Sequence, residues 1–156
     1  MQHVLQKLID RHDLAASEAG AVFDQLMDGR LTPSQIGAFL TALRMKGESV
    51  EELTGAAAAM RRHAVLIDTG GMPVVDTCGT GGDRAGTFNI STTAAFVVAG
   101  AGVPVAKHGN RAVTSPCGTA DVLVARWIYI AAPPDTVEDC IRDIGIGFLL
   151  APHRHP

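Results

Sequence analysis

Two periodicities divide this chain. Up to about residue 67 the apolar positions recur at helical spacing, and the boundaries between runs carry capping chemistry. Val4, Leu5, Leu8 and Ile9 predict one short helix; Val22, Phe23, Leu26 and Met27 predict a second that ends near Gly29. Thr32, Pro33 and Gln35 supply an N-cap, a first-turn proline and a capping-box partner, so a third helix begins there. It sets Ile36, Phe39, Leu40 and Leu43 on one face and stops at Gly47. Ser49 and Glu52 repeat the box, and Leu53, Ala57 and Met60 predict an apolar stripe running towards His63.

After Thr69, Gly70 and Gly71 the pattern changes to short β-branched runs separated by glycine. Strands are predicted at 73–75, 103–106 and 147–150, and helices at 91–99, 119–126 and 134–144. Strands alternating with helices imply a mainly parallel sheet. The chain therefore reads as α/β, with a small helical bundle over residues 1–67 and an α/β region over 68–156.

Composition narrows the class. At 156 residues, with 47% apolar and 19% charged positions, the chain can bury a core and is not a disordered segment. Aromatic residues make up only 4% against 17 glycines, so the core must be built from Ala, Val, Leu and Ile, with many turns or close backbone approaches. A net charge of −3 with scattered cations excludes a nucleic-acid footprint. No apolar run is long enough to span a bilayer, and the N-terminus resembles no targeting signal. Cys78, Cys117 and Cys140 are odd in number and lack CxxC spacing, which fits reduced thiols rather than a disulfide framework or a zinc site. A cytoplasmic location is the expectation.

The candidate chemistry lies in two clusters. Val74 to Asp76 lead into Thr77-Cys78-Gly79-Thr80-Gly81-Gly82-Asp83, and Asn89-Ile90-Ser91-Thr92-Thr93 then opens a helix. A strand, a glycine loop and a helix N-terminus form an anion site, because the glycines admit a phosphate to backbone N–H groups and the helix adds its own N–H groups and dipole. The Ser91 and Thr92 hydroxyls can cap that helix or contact phosphate. GTGGD lacks both the Lys-Ser/Thr ending of a P-loop and the spacing of a dinucleotide fingerprint. The second cluster, Lys107-His108-Gly109-Asn110-Arg111, is expected just past the strand at 103–106, at the end of the sheet where ligands bind. With Thr114, Ser115 and Thr119 nearby, it is a composition suited to a phosphorylated ligand.

In order, GTGGD, Asn89-x-Ser91-Thr92, Lys107 to Arg111 and the turn into Ala120-Asp121-Val122-Leu123 resemble the anthranilate phosphoribosyltransferase family. Gly145-Ile146-Gly147-Phe148, Ala151-Pro152 and His155-Pro156 extend the resemblance along the whole chain. It implies a nucleoside phosphorylase/phosphoribosyltransferase type of fold and transfer of phosphoribosyl to the anthranilate amine, with release of pyrophosphate, in tryptophan biosynthesis. It also implies a phosphoribosyl pyrophosphate site formed by Gly79, Gly82, Asp83, Thr87, Asn89, Ile90, Ser91, Thr92, Lys107, His108, Gly109, Asn110, Arg111, Ala112, Val113, Thr114, Ser115 and Thr119. Gly79 and Asn110 would contact anthranilate, Ser91 would ligate Mg2+, the N-terminal helices would form a homodimer contact, and no residue would act as acid or base.

The family pattern is not matched throughout. Where the family has Ser-Ser-Lys-Ser-Gly, this chain has Thr114-Ser115-Pro116-Cys117-Gly118, which lacks a lysine and a serine and gains a proline without an N–H. Cys117 reads as a small-residue replacement rather than a nucleophile. Trp127 stands where the family has a turn glycine, so a left-handed position or a tight contact is expected to be disturbed there. The resemblance further implies an arginine for the anthranilate carboxylate and an Asp-Glu pair for a second magnesium, both beyond Pro156. Residues 68–156 then amount to the first part of the α/β domain, in a chain expected to show no transferase activity on its own. The competing readings are a non-catalytic fragment that binds phosphate ligands or dimerises, and a pyrimidine nucleoside phosphorylase, against which KHGN in place of KHSTGG argues. His153 and His155 lack a third partner for a metal.

Overall fold

The computed structural model describes residues 1–79, 88–112 and 117–153. Two compact units divide near Ala64 and Val65.

The first unit is helical: α1 (Gln2–Ile9), α2 (Ala16–Met27), α3 (Pro33–Lys46) and α4 (Val50–His63). The predicted caps are formed. Thr32 Oγ1 accepts from Gln35 N at 3.3 Å while Gln35 Oε1 accepts from Thr32 N at 2.9 Å. Ser49 and Glu52 exchange the same pair of bonds. Leu8, Leu14, Val22, Phe39 and Leu43 form the core, with Phe23 meeting Phe39 edge to face.

Helix α4 departs from its predicted face. The Leu53, Ala57 and Met60 stripe is exposed, and the buried side is Glu52, Gly55, Ala56 and Ala59. The reason is the closeness of the α2–α4 contact: a Cβ on Gly55 would lie 2.1 Å from the Ala16 carbonyl oxygen. Only the small-residue side of α4 can approach α2 that closely, so the larger side chains face away.

The second unit carries α5 (Ile90–Gly100), β1 (Val105–Gly109), α6 (Thr119–Ala125), α7 (Pro134–Ile144), β2 (Ile146–Leu150) and a short 3-10 turn at Ala151–His153. Strands β1 and β2 are parallel, with Lys107 beside Phe148. The strand predicted at 73–75 is reduced to a single parallel bridge, Val75 to Val105. Still, Val75 N donates to Pro104 O and Val75 O accepts from Ala106 N, so this segment lies along β1 on the side away from β2. Helix α7 packs Val137 and Ile141 against Ala106 and Leu149. The opposite sheet face, carrying Phe148 and Leu150, packs against Ala120 and Leu123 of α6. Helix α7 starts on Pro134 and ends on Gly145, whose φ of 76° reverses the chain into β2.

Candidate functional site

Three segments converge at the C-terminal end of β1, and each is held there by hydrogen bonds. The first is 76–79. Asp76 Oδ1 accepts from Cys78 N at 2.9 Å and from His108 N at 3.3 Å, and Thr77 Oγ1 donates to Ser91 O at 2.7 Å. The stretch preceding the glycine loop is thereby fastened both to β1 and to the first turn of α5.

The second segment is the α5 N-terminus. Asn89 is its cap, with Oδ1 accepting from Thr92 N at 3.1 Å and from Ser91 Oγ at 3.3 Å. The sequence offered Ser91 and Thr92 as alternatives for this role; an Asn at this position satisfies the same orphan N–H and leaves both hydroxyls inside the first turn. Ile90 is half exposed, whereas Thr92 is 2% exposed and its Oγ1 makes no hydrogen bond with the described residues.

The third segment is β1 with the turn after it. Lys107, His108 and Gly109 belong to the strand itself, which begins and ends later than its apolar run suggested. Backbone pairing with Phe148, Leu149 and Leu150 extends β1 past the hydrophobic residues. Lys107 is 3% exposed, donates to His108 O at 2.7 Å and lies 3.9 Å from Asp76 Oδ1. His108 Nδ1 faces Cys78 Sγ at 3.7 Å. Gly109 packs on the start of α6, where a Cβ would meet Thr119 at 2.8 Å, and Asn110 O accepts from Ala120 N at 3.1 Å.

Asp121, to which the sequence pattern assigns no role, ties Ala112 to Gly118 at the start of α6. Its Oδ2 accepts from Ala112 N at 3.0 Å and from Gly118 N at 2.9 Å, and its Oδ1 meets Arg111 at 3.3 Å. These two backbone donors, with the Arg111 guanidinium after them, hold the carboxyl below its usual value of 3.8. One carboxylate thus joins residues 112 and 118. The detectable signal was the spacing: an acid three positions after Gly118, where an N-terminal helix turn presents free N–H groups. Gly118 itself lies so close to Arg111 and Ala112 that a Cβ would sit 2.3 Å from Ala112 N. Asn89 Nδ2 reaches Cys117 O at 3.5 Å, which places the third segment beside the second.

Of the predicted site residues, Gly79, Asn89, Ile90, Ser91, Thr92, Lys107, His108, Gly109, Asn110, Arg111, Ala112 and Thr119 are described, and they lie on these three segments. Gly82, Asp83, Thr87, Val113, Thr114 and Ser115 fall outside the described residues, as do Pro116 and His155. Trp127 keeps the left-handed conformation, with a φ of 61°, and 97% of its surface is exposed, so the turn is not disturbed as the sequence predicts: the indole points into solvent and meets no tight contact.

Comparison with known proteins places these features in a family. Residues 71–156 match the a/b domain of the glycosyl transferase family, and residues 2–64 match its helical bundle domain. An anthranilate phosphoribosyltransferase of Anaeromyxobacter sp. (strain Fw109-5) is 59% identical over all 156 residues. One from Chloroflexus aurantiacus is 54% identical. The chain spans 46% of the length of each. The crystal structure of anthranilate phosphoribosyltransferase from Thermus thermophilus superposes with a TM-score of 0.86 at 42% identity, over 98% of this chain and 46% of that one. The Saccharomyces cerevisiae enzyme in complex with PRPP and Mg gives 0.78 at 30% identity, over 99% of this chain and 47% of that one. The chain belongs to the glycosyl transferase family, with the helical bundle followed by the a/b domain.

Proposed function

We propose that this member of the glycosyl transferase family carries the phosphate-binding half of an anthranilate phosphoribosyltransferase active site, in which residues 68–156 hold phosphoribosyl pyrophosphate and residues 1–67 serve dimer assembly. The observation that carries the reading is the convergence of segment 76–79, the α5 N-terminus and residues 107–112 at one end of β1. The likeness to anthranilate phosphoribosyltransferases along the whole chain supports the choice of substrates and of tryptophan biosynthesis. The exposed Leu40, Leu53 and Met60 of the helical unit support assembly through that unit. No described helix is long and apolar enough to cross a membrane. The biosynthetic role goes with a cytoplasmic setting.

The reaction is a displacement at the anomeric carbon. The amine of anthranilate forms the new C–N bond as the C–O bond to pyrophosphate breaks, and the amine proton passes to solvent. An aromatic amine is neutral at physiological pH, so the protein needs to position and neutralise rather than to supply a base. The α5 N-terminus directs its dipole towards the leaving group. Lys107 supplies a fixed cation, and the Thr92 hydroxyl retains an unmade hydrogen bond that a bound ligand can complete. Gly79 and Asn110 flank the position proposed for anthranilate.

Ser91 fits Mg2+, because its hydroxyl is a hard oxygen donor in the same first turn, and magnesium is commonly held by one or two protein oxygens together with substrate phosphates. When bound, the ion offsets the charge that develops on pyrophosphate. Calorimetry with phosphoribosyl pyrophosphate tests the reading. Saturable binding that strengthens with Mg2+ and weakens in Ser91→Ala and Lys107→Ala is expected; binding indifferent to Mg2+ and to both substitutions would overturn it.

A further inference from the structure

Asp76, Cys78 and His108 form a cluster that the transferase reading does not use as a unit. One ligand-capable atom from each lies within 4.8 Å of the others. The three residues come from two segments about thirty positions apart, which is why cysteine spacing in the sequence gives no sign of them. We propose that they form a binding site for a thiophilic divalent cation, namely Zn2+, beside the phosphate-binding segments and chemically distinct from the oxygen-only magnesium position at Ser91.

The donor set selects the metal. A thiolate, an imidazole and a carboxylate together match the preferences of zinc, whereas magnesium and calcium take oxygen alone. The geometry agrees. Tetrahedral zinc with ordinary Zn–S and Zn–N bonds separates sulfur from nitrogen by about 3.6 Å; Cys78 Sγ and His108 Nδ1 are 3.7 Å apart. The carboxylate is already oriented, since Asp76 Oδ1 accepts from the backbone N–H groups of both Cys78 and His108. Such outer hydrogen bonds are what hold metal-binding carboxylates in place. Asp76 and Cys78 are both exposed, so an ion can enter from solvent.

Charge balance is also met. Zinc binding displaces the thiol proton of Cys78 into solvent, and the resulting thiolate and carboxylate together neutralise the ion. Lys107, 3.9 Å from Asp76 Oδ1, opposes it in part and makes the site weaker than an all-anionic cage. Three protein ligands leave a fourth position open for water or a phosphate oxygen. The inference does not depend on the transferase reading, because it concerns only these three side chains.

Cobalt titration of the reduced chain is the test. One equivalent of Co2+ is expected to give a thiolate-to-metal charge-transfer band, displaced by Zn2+ and unaffected by excess Mg2+. Cys78→Ser is expected to abolish the band and His108→Asn to weaken cobalt binding on the order of tenfold, while Cys117→Ser and Cys140→Ser leave both unchanged. A second measurement needs no variant: Zn2+ should slow iodoacetamide alkylation of Cys78, mapped by mass spectrometry, on the order of tenfold while Cys117 and Cys140 keep their rates. The proposal fails if no charge-transfer band forms, if the band survives Cys78→Ser, if Mg2+ erases it, or if Zn2+ leaves Cys78 alkylation unchanged.

Discussion

Glu52 shows how one side chain can serve two levels of structure. Its Oε2 accepts from Ser49 N and from the Lys46 ammonium, and its Oε1 accepts from Leu14 N, which lies in the segment between α1 and α2. It is 1% exposed. Burial pushes its carboxyl up, but the Ser49 and Leu14 N–H groups and the Lys46 ammonium outweigh burial and hold it below the usual 4.5. Because the folded value is the lower one, the stability this carboxylate contributes is complete above pH 4.5 and is lost as pH falls through the folded value. Glu52→Ala leaves Lys46 with Asp13 as its acidic partner and orphans the Leu14 N–H. A loss of about 1–3 kcal/mol is expected, as for a buried donor left without its acceptor while Lys46 keeps Asp13, and urea unfolding at pH 7 measures it. Glu52→Gln should flatten the acid limb of stability; an unchanged limb would mean that another carboxylate carries it.

Asp121 makes a related prediction for binding. Its depressed carboxyl keeps the 112-to-118 clamp ionised above the usual 3.8, and the clamp's stability is lost as pH falls through the lower folded value. Asp121→Ala removes the shared acceptor of Ala112 N and Gly118 N, and weakening of phosphoribosyl pyrophosphate binding on the order of tenfold, about 1.4 kcal/mol, is expected. Calorimetry against Asp121→Asn, which keeps one acceptor oxygen, separates the clamp from the charge. Equal affinity in all three proteins would deny Asp121 a positioning role.

At the scale of elements, the ends of helices matter as much as their faces. Helix α6 ends in Arg126 and Trp127, and the latter holds a left-handed conformation that costs a residue with a Cβ roughly 1–2 kcal/mol. Since the indole is almost wholly exposed, little packing offsets that cost. Trp127→Gly is therefore expected to stabilise the protein by about 1 kcal/mol, visible as a raised urea midpoint with unchanged slope. A lowered midpoint would show that the indole contributes packing after all. Conversely, Gly55→Ala forces α2 and α4 apart and should cost at least about 1–3 kcal/mol.

These elements also show what the sequence made legible. Helix starts at Thr32, Ser49 and Pro134 were readable because capping is local chemistry. The buried side of α4 was not, because two close-packed glycine and alanine surfaces leave a weaker pattern than an exposed Leu53 and Met60. Likewise the end of β1 was misplaced, since Lys107 and His108 join the strand through backbone pairing with β2 and not through their own propensity. From composition and order, GTGGD and KHGNR carry the proposal of a phosphate site. Asp121 and the Asp76–Cys78–His108 cluster were not legible, because each depends on segments brought together only by the fold.

Among the described residues β2 pairs only with β1, and a largely apolar cavity of about 210 Å³ is bounded by residues that include Phe96, Tyr129, Cys140, Ile144 and Phe148. The curated relatives are more than twice as long as this chain. The resemblance assigns the anthranilate-carboxylate arginine and the Asp-Glu magnesium pair to that further length. Ground-state binding and turnover should then separate. A polypeptide of these 156 residues is expected to bind phosphoribosyl pyrophosphate through the α5 N-terminus and residues 107–112, yet not to consume anthranilate. Positioning of the amine and charge stabilisation as pyrophosphate departs are contributions to the transition state, and losing them lowers turnover rather than ligand affinity. Anthranilate fluorescence followed with phosphoribosyl pyrophosphate and Mg2+ tests this; turnover above that of Lys107→Ala would show that the residues present complete the reaction unaided.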